Sequence, residues 1–465
     1  MTSSAGASVS VDTGQIPRIR RVRESQRRRN VEAWLLLVAF VLCAVSLMLV
    51  QIPTLGGVHL GIFATCLPIA ALAFGVHLLL RFVAPAADPL ILPVAVLLNG
   101  LGIAEIYRID LADKLSGWDA LANRQIAWTA LALAAAIATI IVVTSHRSLQ
   151  RYTYTSGLIA VILLLLPMLP VIGVEVNGAR VWIQVAGFTF QPGEIAKIAL
   201  AVFFAGYLVQ YRDSLSMVGR RFLGMRLPRA RDFGPLVVVW LLSMLVIVFQ
   251  HDLGTGLLYF GMFLVMLYVA TGRTSWVFLG VVLSAVGAIL ANQFLPYVHG
   301  RFENWYDAFN QQVFDAVGGS YQLVQGLFGM AHGGLIGTGL GQGMPYVTPV
   351  SQSDYIVASL AEELGLVGLF AVLCLYVLLI SRGVRIAFSA TNDFSKLLSV
   401  GLSFVIALQC FLVIGGVTRI IPLTGLTTPF LAAGGSSLVA NWMIVGILLR
   451  LSDAQARAPR LVIDT

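Results

Sequence analysis

The sequence predicts an all-α, polytopic integral membrane protein: a helical bundle of about 12 transmembrane helices with one large extracytoplasmic loop. Three observations predict it. The chain is 58% hydrophobic and only 11% charged over 465 residues, against about 25% charged in an ordinary soluble domain. Its apolar residues come in runs of about 20, enough to cross a hydrocarbon core of about 30 Å. Those runs lack the strict alternation of barrel strands, so their backbone groups must be satisfied inside helices.

The elements follow in order. Residues 1–15 are rich in Ser, Gly and Thr, and residues 18–29 hold seven arginines. Residues 1–33 are therefore expected to form a basic, disordered cytoplasmic tail. The apolar run after it is too long for a signal-peptide core and lacks a cleavage site. Spans 34–52 and 58–80 make an N-terminal pair within residues 34–83. Ten more spans are expected over a core at 88–450: 88–108, 124–144, 153–173, 191–211, 234–250, 252–271, 275–297, 354–381, 396–418 and 424–449. A short tail, 451–465, ends the chain.

The basic residues give the orientation. Arg81, Arg147, Arg151, the arginine-rich loop 212–233, Arg273, Arg382, Arg385, Arg450, Arg457 and Arg460 fall on one side of this arrangement. That side is cytoplasmic by the positive-inside rule, so both termini are cytoplasmic. The net charge of +8 is thus a topology signal, with membrane lipids as partners and no nucleic acid. The cysteines Cys43, Cys66, Cys374 and Cys410 all lie inside apolar runs without metal-ligand or disulfide spacing.

Two outer loops stand out, 174–190 and 298–353. The second mixes Phe302, Trp305, Tyr306 and Phe309 with seven glycines in 329–343. Its apolar content argues for short helices on the membrane surface rather than disorder. The run Gly337-x-Gly339-x-Gly341-x-Gly343 has no βαβ unit around it and is not a nucleotide fingerprint.

The unusual polar residues gather on the same outer side. Arg180 lies in loop 174–190. Glu194 and Lys197, three apart, share one helix face, and Lys197 is one of only three lysines, with Lys114 and Lys396. The pair reads as an internal ion pair or as the lining of a wet cavity for an anion. Asp252 sits where two spans meet and suits an N-cap or a cavity group; His251 beside it is a weak metal signal. Asp354 opens a long span, again as an N-cap or as a functional carboxylate. Glu362 lies about 12 Å further along that helix, and it and Glu363 read as structural hydrogen-bonding groups within the bundle. Paired glycines and prolines in 422–437 point to a broken or closely packed helix.

These motifs together resemble the SEDS family (shape, elongation, division and sporulation), whose members include RodA and FtsW. The resemblance spans about residues 88 to 450. It is carried by Asn177-Gly178-Ala179-Arg180-x-Trp182, Phe190-Gln191-Pro192-Gly193-Glu194-Ile195-Ala196-Lys197, His251-Asp252-Leu253-Gly254-Thr255, Ser353-Asp354-Tyr355-Ile356, Ala361-Glu362-Glu363-Leu364-Gly365 and Gly434-Gly435-Ser436. It implies a ten-span core, to which this chain adds two N-terminal helices. It also implies a bacterial cytoplasmic-membrane peptidoglycan glycosyltransferase that polymerises lipid II on the outer face, in cell elongation, shape or division. The implied partner is a class B penicillin-binding protein acting as transpeptidase. Asp354 carries over as the catalytic aspartate, and Arg180, Glu194, Lys197 and Asp252 as substrate-binding residues. No resident metal is implied by residue spacing; a divalent cation, magnesium or manganese, is left open. The sequence departs from the family where Gly193 and His251 stand in place of the usual serine and proline.

The chemistry suits those residues. Joining a sugar 4-hydroxyl to an anomeric carbon needs a general base, expected to be Asp354. The departing polyprenyl diphosphate needs cationic donors, expected to be Arg180 and Lys197. Glu194 and Asp252 would orient these groups. Two other classes fit less well. A lipid II flippase would carry polar groups at several depths, and a non-catalytic scaffold would not need the outer charges.

Overall fold

An apolar run in hydrocarbon must satisfy its backbone internally, and this chain does so helix after helix. The computed structural model describes residues 15–176, 178–185, 188–216, 221–222, 225–226 and 234–457. The first helices are α1 (Gln15–Leu55), α2 (Gly61–Val83), α3 (Ile91–Ala112), α4 (Leu121–Val142), the short α5 (His146–Arg151) and α6 (Thr153–Leu165). Next come α7 (Pro192–Ser216), α8 (Gly234–Gln250), α9 (Leu253–Thr271) and α10 (Thr274–Phe294). The long loop after α10 holds α11 (Pro296–Tyr306), α12 (Gln311–Asp315) and α13 (Tyr321–Gly333), the short helices its composition predicts. The chain closes with α14 (Ile356–Phe388), α15 (Asp393–Val417) and α16 (Gly435–Arg457). Among the described residues, 10 helices are long and apolar enough to cross a membrane. This is a polytopic membrane protein.

The expected spans are met with four differences. α6 and α8 fall short of full spanning length. α6 stops because Pro167 sits in a 3-10 turn that follows it and the chain then enters a sheet. Loop 174–190 is not helical: β1 (Gly173–Val176), β2 (Ala179–Val185) and β3 (Phe188–Phe190) form an antiparallel sheet, an addition to the all-α class. Its alternating Val, Trp and Phe residues suit a strand better than a helix. The last span begins at Gly435 rather than near 424.

The N-terminal tail also differs. α1 starts at Gln15, so residues 15–33 are helical rather than disordered. Arginine and glutamine favour helix, and Pro17 lies in the first turn, where it is tolerated. Tertiary contacts then hold the end of this stretch. Buried Arg29 pairs with Glu32 at 2.7 Å, and Glu32 also meets His77 of α2 at 2.7 Å. Arg29 donates to the carbonyl of Ala87 as well. The expectations for residues 1–14, Asn177 and most of the arginine-rich loop lie outside the described residues.

Residues 418–434 cross the interior without helix, so their carbonyls need side-chain donors. They have them. Trp305 Nε1 donates to Arg419 O at 3.0 Å, Arg301 Nη1 to Leu423 O at 3.0 Å, Gln409 Nε2 to Thr427 O at 2.8 Å, and Gln125 Nε2 to Ala432 O at 3.0 Å. Tyr376 donates to Pro429 O. This segment is held from three long helices and one loop helix, and it forms a floor against the long loop that follows α10.

The glycine run has a structural reason too. α14 breaks at Gly365, with φ 69°. The freed backbone is met edge-on by residues 334–339: Thr338 N donates to Glu362 O at 3.0 Å, Gly339 N to Glu363 O at 2.9 Å, and Leu366 N to Gly334 O at 2.9 Å. A Cβ on Gly365 would lie 2.2 Å from Gly337 N, so only glycine allows this approach.

Candidate active site

α7 begins at Pro192, whose fixed φ suits the first turn of a helix. Glu194 and Lys197 therefore fall on one face, and their side chains meet at 2.5 Å. Lys197 is buried, at 1% exposure. Its ammonium also donates to Gln409 Oε1 of α15 at 3.1 Å and to Asn441 Oδ1 of α16 at 3.4 Å. One ion pair and two hydrogen bonds let this lysine tie three helices together.

Asp252 lies at the junction of α8 and α9, where His251 takes a left-handed φ of 55°. It caps α9 as the sequence suggests: Thr255 N donates to Oδ1 at 2.9 Å, and the Thr255 hydroxyl to Oδ2 at 2.5 Å. Burial raises its pKa above the ordinary aspartate value. The Thr255 hydrogen bonds and the Arg301 guanidinium oppose that rise, and Glu194 adds to it.

Asp354 is different. Tyr355, not Asp354, occupies the cap position of α14, and no side-chain cap bond forms there. The Asp354 carboxyl is thus not spent on the helix. It is half-buried, and the protein packed around it pushes its pKa up to about 6. Arg301 and the Ser353 hydroxyl hold it down from rising further, and Asp252 pushes it up.

Arg301, on α11, is the residue that sequence reasoning missed. Its charge acts on both Asp252 and Asp354, although they lie about fifty residues to either side. Asp252 in turn feels Glu194, which holds Lys197. Glu194, Lys197, Asp252, Arg301 and Asp354 are therefore one electrostatic network, fed by four separate elements. The available signal was a lone arginine among aromatic residues in a long loop, which a local motif search passes over.

Arg180 stands apart from this network. It lies on β2, is largely exposed, and pairs with Glu175 of β1 at 2.9 Å. The sheet meets the α8–α9 junction at its turn, where Gly178 O lies 2.9 Å from His251 Nδ1. Glu362 and Glu363 are structural, as expected. Glu363 pairs with Arg108 at 3.0 Å and accepts from Gly341 N at 2.7 Å. Glu362 accepts from Met344 N at 2.9 Å and meets His332 at 3.1 Å. Among the described residues, no three His, Cys, Asp or Glu side chains converge as metal ligands do.

The arrangement has one carboxylate poised near neutrality, a half-buried guanidinium beside it, and a sealed ion pair behind. It suits deprotonation of a hydroxyl next to an anionic leaving group.

The chain is similar to known proteins. The family described as "Cell cycle protein" (FtsW/RodA/SpoVE) matches residues 88–457. The chain is 44% identical over 436 residues to the peptidoglycan glycosyltransferase RodA of Mycobacterium tuberculosis, covering 93% of this chain and 92% of that one. It is 34% identical over 373 residues to stage V sporulation protein E of Bacillus subtilis, covering 78% of this chain and 96% of that one. Among solved structures, a chain of a peptidoglycan synthase complex that coordinates polymerisation and crosslinking superposes with a TM-score of 0.53. That match has 23% identity and covers 85% of this chain and 98% of the other; at that identity it speaks for the fold alone.

Proposed function

We propose that this chain, which belongs to the FtsW, RodA and SpoVE family, is a peptidoglycan glycosyltransferase that polymerises lipid II at the outer face of the cytoplasmic membrane. The observation that carries the mechanism is Asp354. It is uncommitted to any helix cap, half-buried, and held to a pKa of about 6, which is where a base working near neutral pH is most effective.

Asp354 takes the proton from the acceptor sugar 4-hydroxyl. The oxygen attacks the donor's anomeric carbon, and the bond to the polyprenyl diphosphate breaks with inversion. Asp252 keeps a second negative charge close to Asp354 and helps hold its pKa up. Glu194 and Lys197 set the spacing of α7, α15 and α16 behind the site. Arg180, exposed on its sheet, is available to the sugar or peptide part of a bound substrate.

The arginine bias of the loops supports cytoplasmic termini and an outward-facing site. The partner proposed is the one the family resemblance implies, a class B penicillin-binding protein, with a role in elongation, shape or division. The test is purified Asp354→Asn, with its transpeptidase partner, given labelled lipid II. Glycan synthesis should fall at least 100-fold, with a melting temperature no lower than that of the unaltered protein. Undiminished synthesis by the folded variant removes Asp354 from the role of base.

A further inference from the structure

The reaction proposed above releases a diphosphate on an isoprenoid chain, and that dianion needs a cationic partner. Three side chains compete for the role. Lys197 is ion-paired with Glu194, donates to Gln409 and Asn441, and is sealed at 1% exposure. Arg180, exposed and paired with Glu175, lies on the sheet, apart from Asp252 and Asp354. Arg301 is placed differently. It is half-buried, and its Nη1 donates to Leu423 O at 3.0 Å. Among the described residues, neither Asp252 nor Asp354 forms a direct ion pair with it. The guanidinium lies across Gly425, where a Cβ would come within 3.3 Å of Nη2. Most of its fork of donors remains available.

A second feature adjoins it. Phe302, the next residue, lines a cavity of about 250 Å³ between α8, α9, α10 and α15. Leu253, beside Asp252, lines it too, as do Trp240, Met244, Phe260 and Phe411. The walls are largely apolar. Two hydroxyl residues, Ser284 and Thr424, break the pattern. Thr424 lines this cavity, is buried at 2% exposure, and its hydroxyl has no hydrogen-bond partner. A buried hydroxyl without a partner costs about 1–3 kcal/mol, so its natural complement is a ligand oxygen.

We infer that Arg301 and Thr424 form the head-group site for the lipid-linked diphosphate, and that the adjoining cavity between α8, α9, α10 and α15 takes the first isoprene units of its tail. Arginine's planar fork matches two phosphate oxygens at once. The Thr424 hydroxyl adds one donor where the head meets the tail. Arg301 then stands between the diphosphate and the two aspartates, which lets a dianion approach Asp354 without direct repulsion. Gly425 is required so that the guanidinium can lie flat against the backbone. The inference rests on the glycosyltransferase reading for its ligand, but its test needs no turnover.

The full-length Asp354→Asn protein, purified in detergent, is titrated with farnesyl diphosphate, farnesol and inorganic pyrophosphate. Farnesyl diphosphate should bind most tightly. Adding Arg301→Gln should weaken it at least tenfold and leave farnesol unchanged. Adding Ala288→Phe, which fills the cavity, should weaken farnesyl diphosphate and farnesol together and spare pyrophosphate. Arg301→Lys keeps the charge and a donor for Leu423 O, so it serves if the glutamine variant does not fold; it should lose several-fold. Equal binding of farnesyl diphosphate with and without Arg301 overturns the head-group site. Equal binding with and without Ala288→Phe overturns the tail site. Should Asp354→Asn still polymerise lipid II, the assigned base fails while these binding results stand.

Discussion

The sharpest prediction concerns pH. Asp354 must be ionised to accept a proton, and its pKa is held at about 6. At pH 7 about 90% of it is ionised and at pH 5 about 10%, so the rate should fall roughly tenfold between them. The acid limb should have unit slope. The folding linkage runs the other way. A carboxyl whose pKa is raised above its ordinary 3.8 in the folded protein binds its proton more tightly folded than unfolded. As pH falls from about 6 towards 3.8, protonation of Asp354 therefore stabilises the fold, and the lost activity is not lost structure. The assay is the initial rate of polymer formation from lipid II with the transpeptidase partner, at constant ionic strength. Melting temperature is recorded across the same pH range. In Arg301→Gln the limb should move to higher pH, because the cation that lowers the Asp354 pKa is gone. A rate that stays flat from pH 7 to 5 in folded protein refutes the assignment of the base.

Two further outcomes test the scaffold. Lys197→Met strands Glu194 in the interior and should cost about 3–5 kcal/mol, seen as a lower melting temperature in detergent; the double variant Glu194→Leu/Lys197→Met should recover most of it, and a double variant as unstable as the single one would show the pair is not the cause. Gly365→Ala combines a φ of 69° with a Cβ 2.2 Å from Gly337 N, so it should lose about 1–3 kcal/mol or more and fold poorly. Gly300→Ala, with nothing within 4 Å, should be silent in the same melting experiment.

Legibility in the sequence followed the range of the interaction. The pairing of Glu194 with Lys197 needs only helical spacing, and the capping by Asp252 needs only the three residues after it; both were readable. The helical start of α1 was misread because composition describes a free tail, whereas Arg29 and Glu32 are held by α2 and by Ala87 O. The sheet at 173–190 was missed because its strands are short. Arg301 was missed because nothing local marks it. Its meaning comes from two aspartates about fifty residues away on either side.

By itself the sequence determined the membrane class, the order of the helices, the family and the carboxylates to watch. Those follow from apolar run length, loop charge and local motifs, which are properties of neighbouring residues. Only the tertiary structure decided which cation stands beside Asp354, that Lys197 is sealed, that Arg180 lies outside the network, and that residues 418–434 form a non-helical floor. Each of these depends on side chains from distant helices meeting in a medium without water, where every donor must find an acceptor and the one left free is the one that can bind.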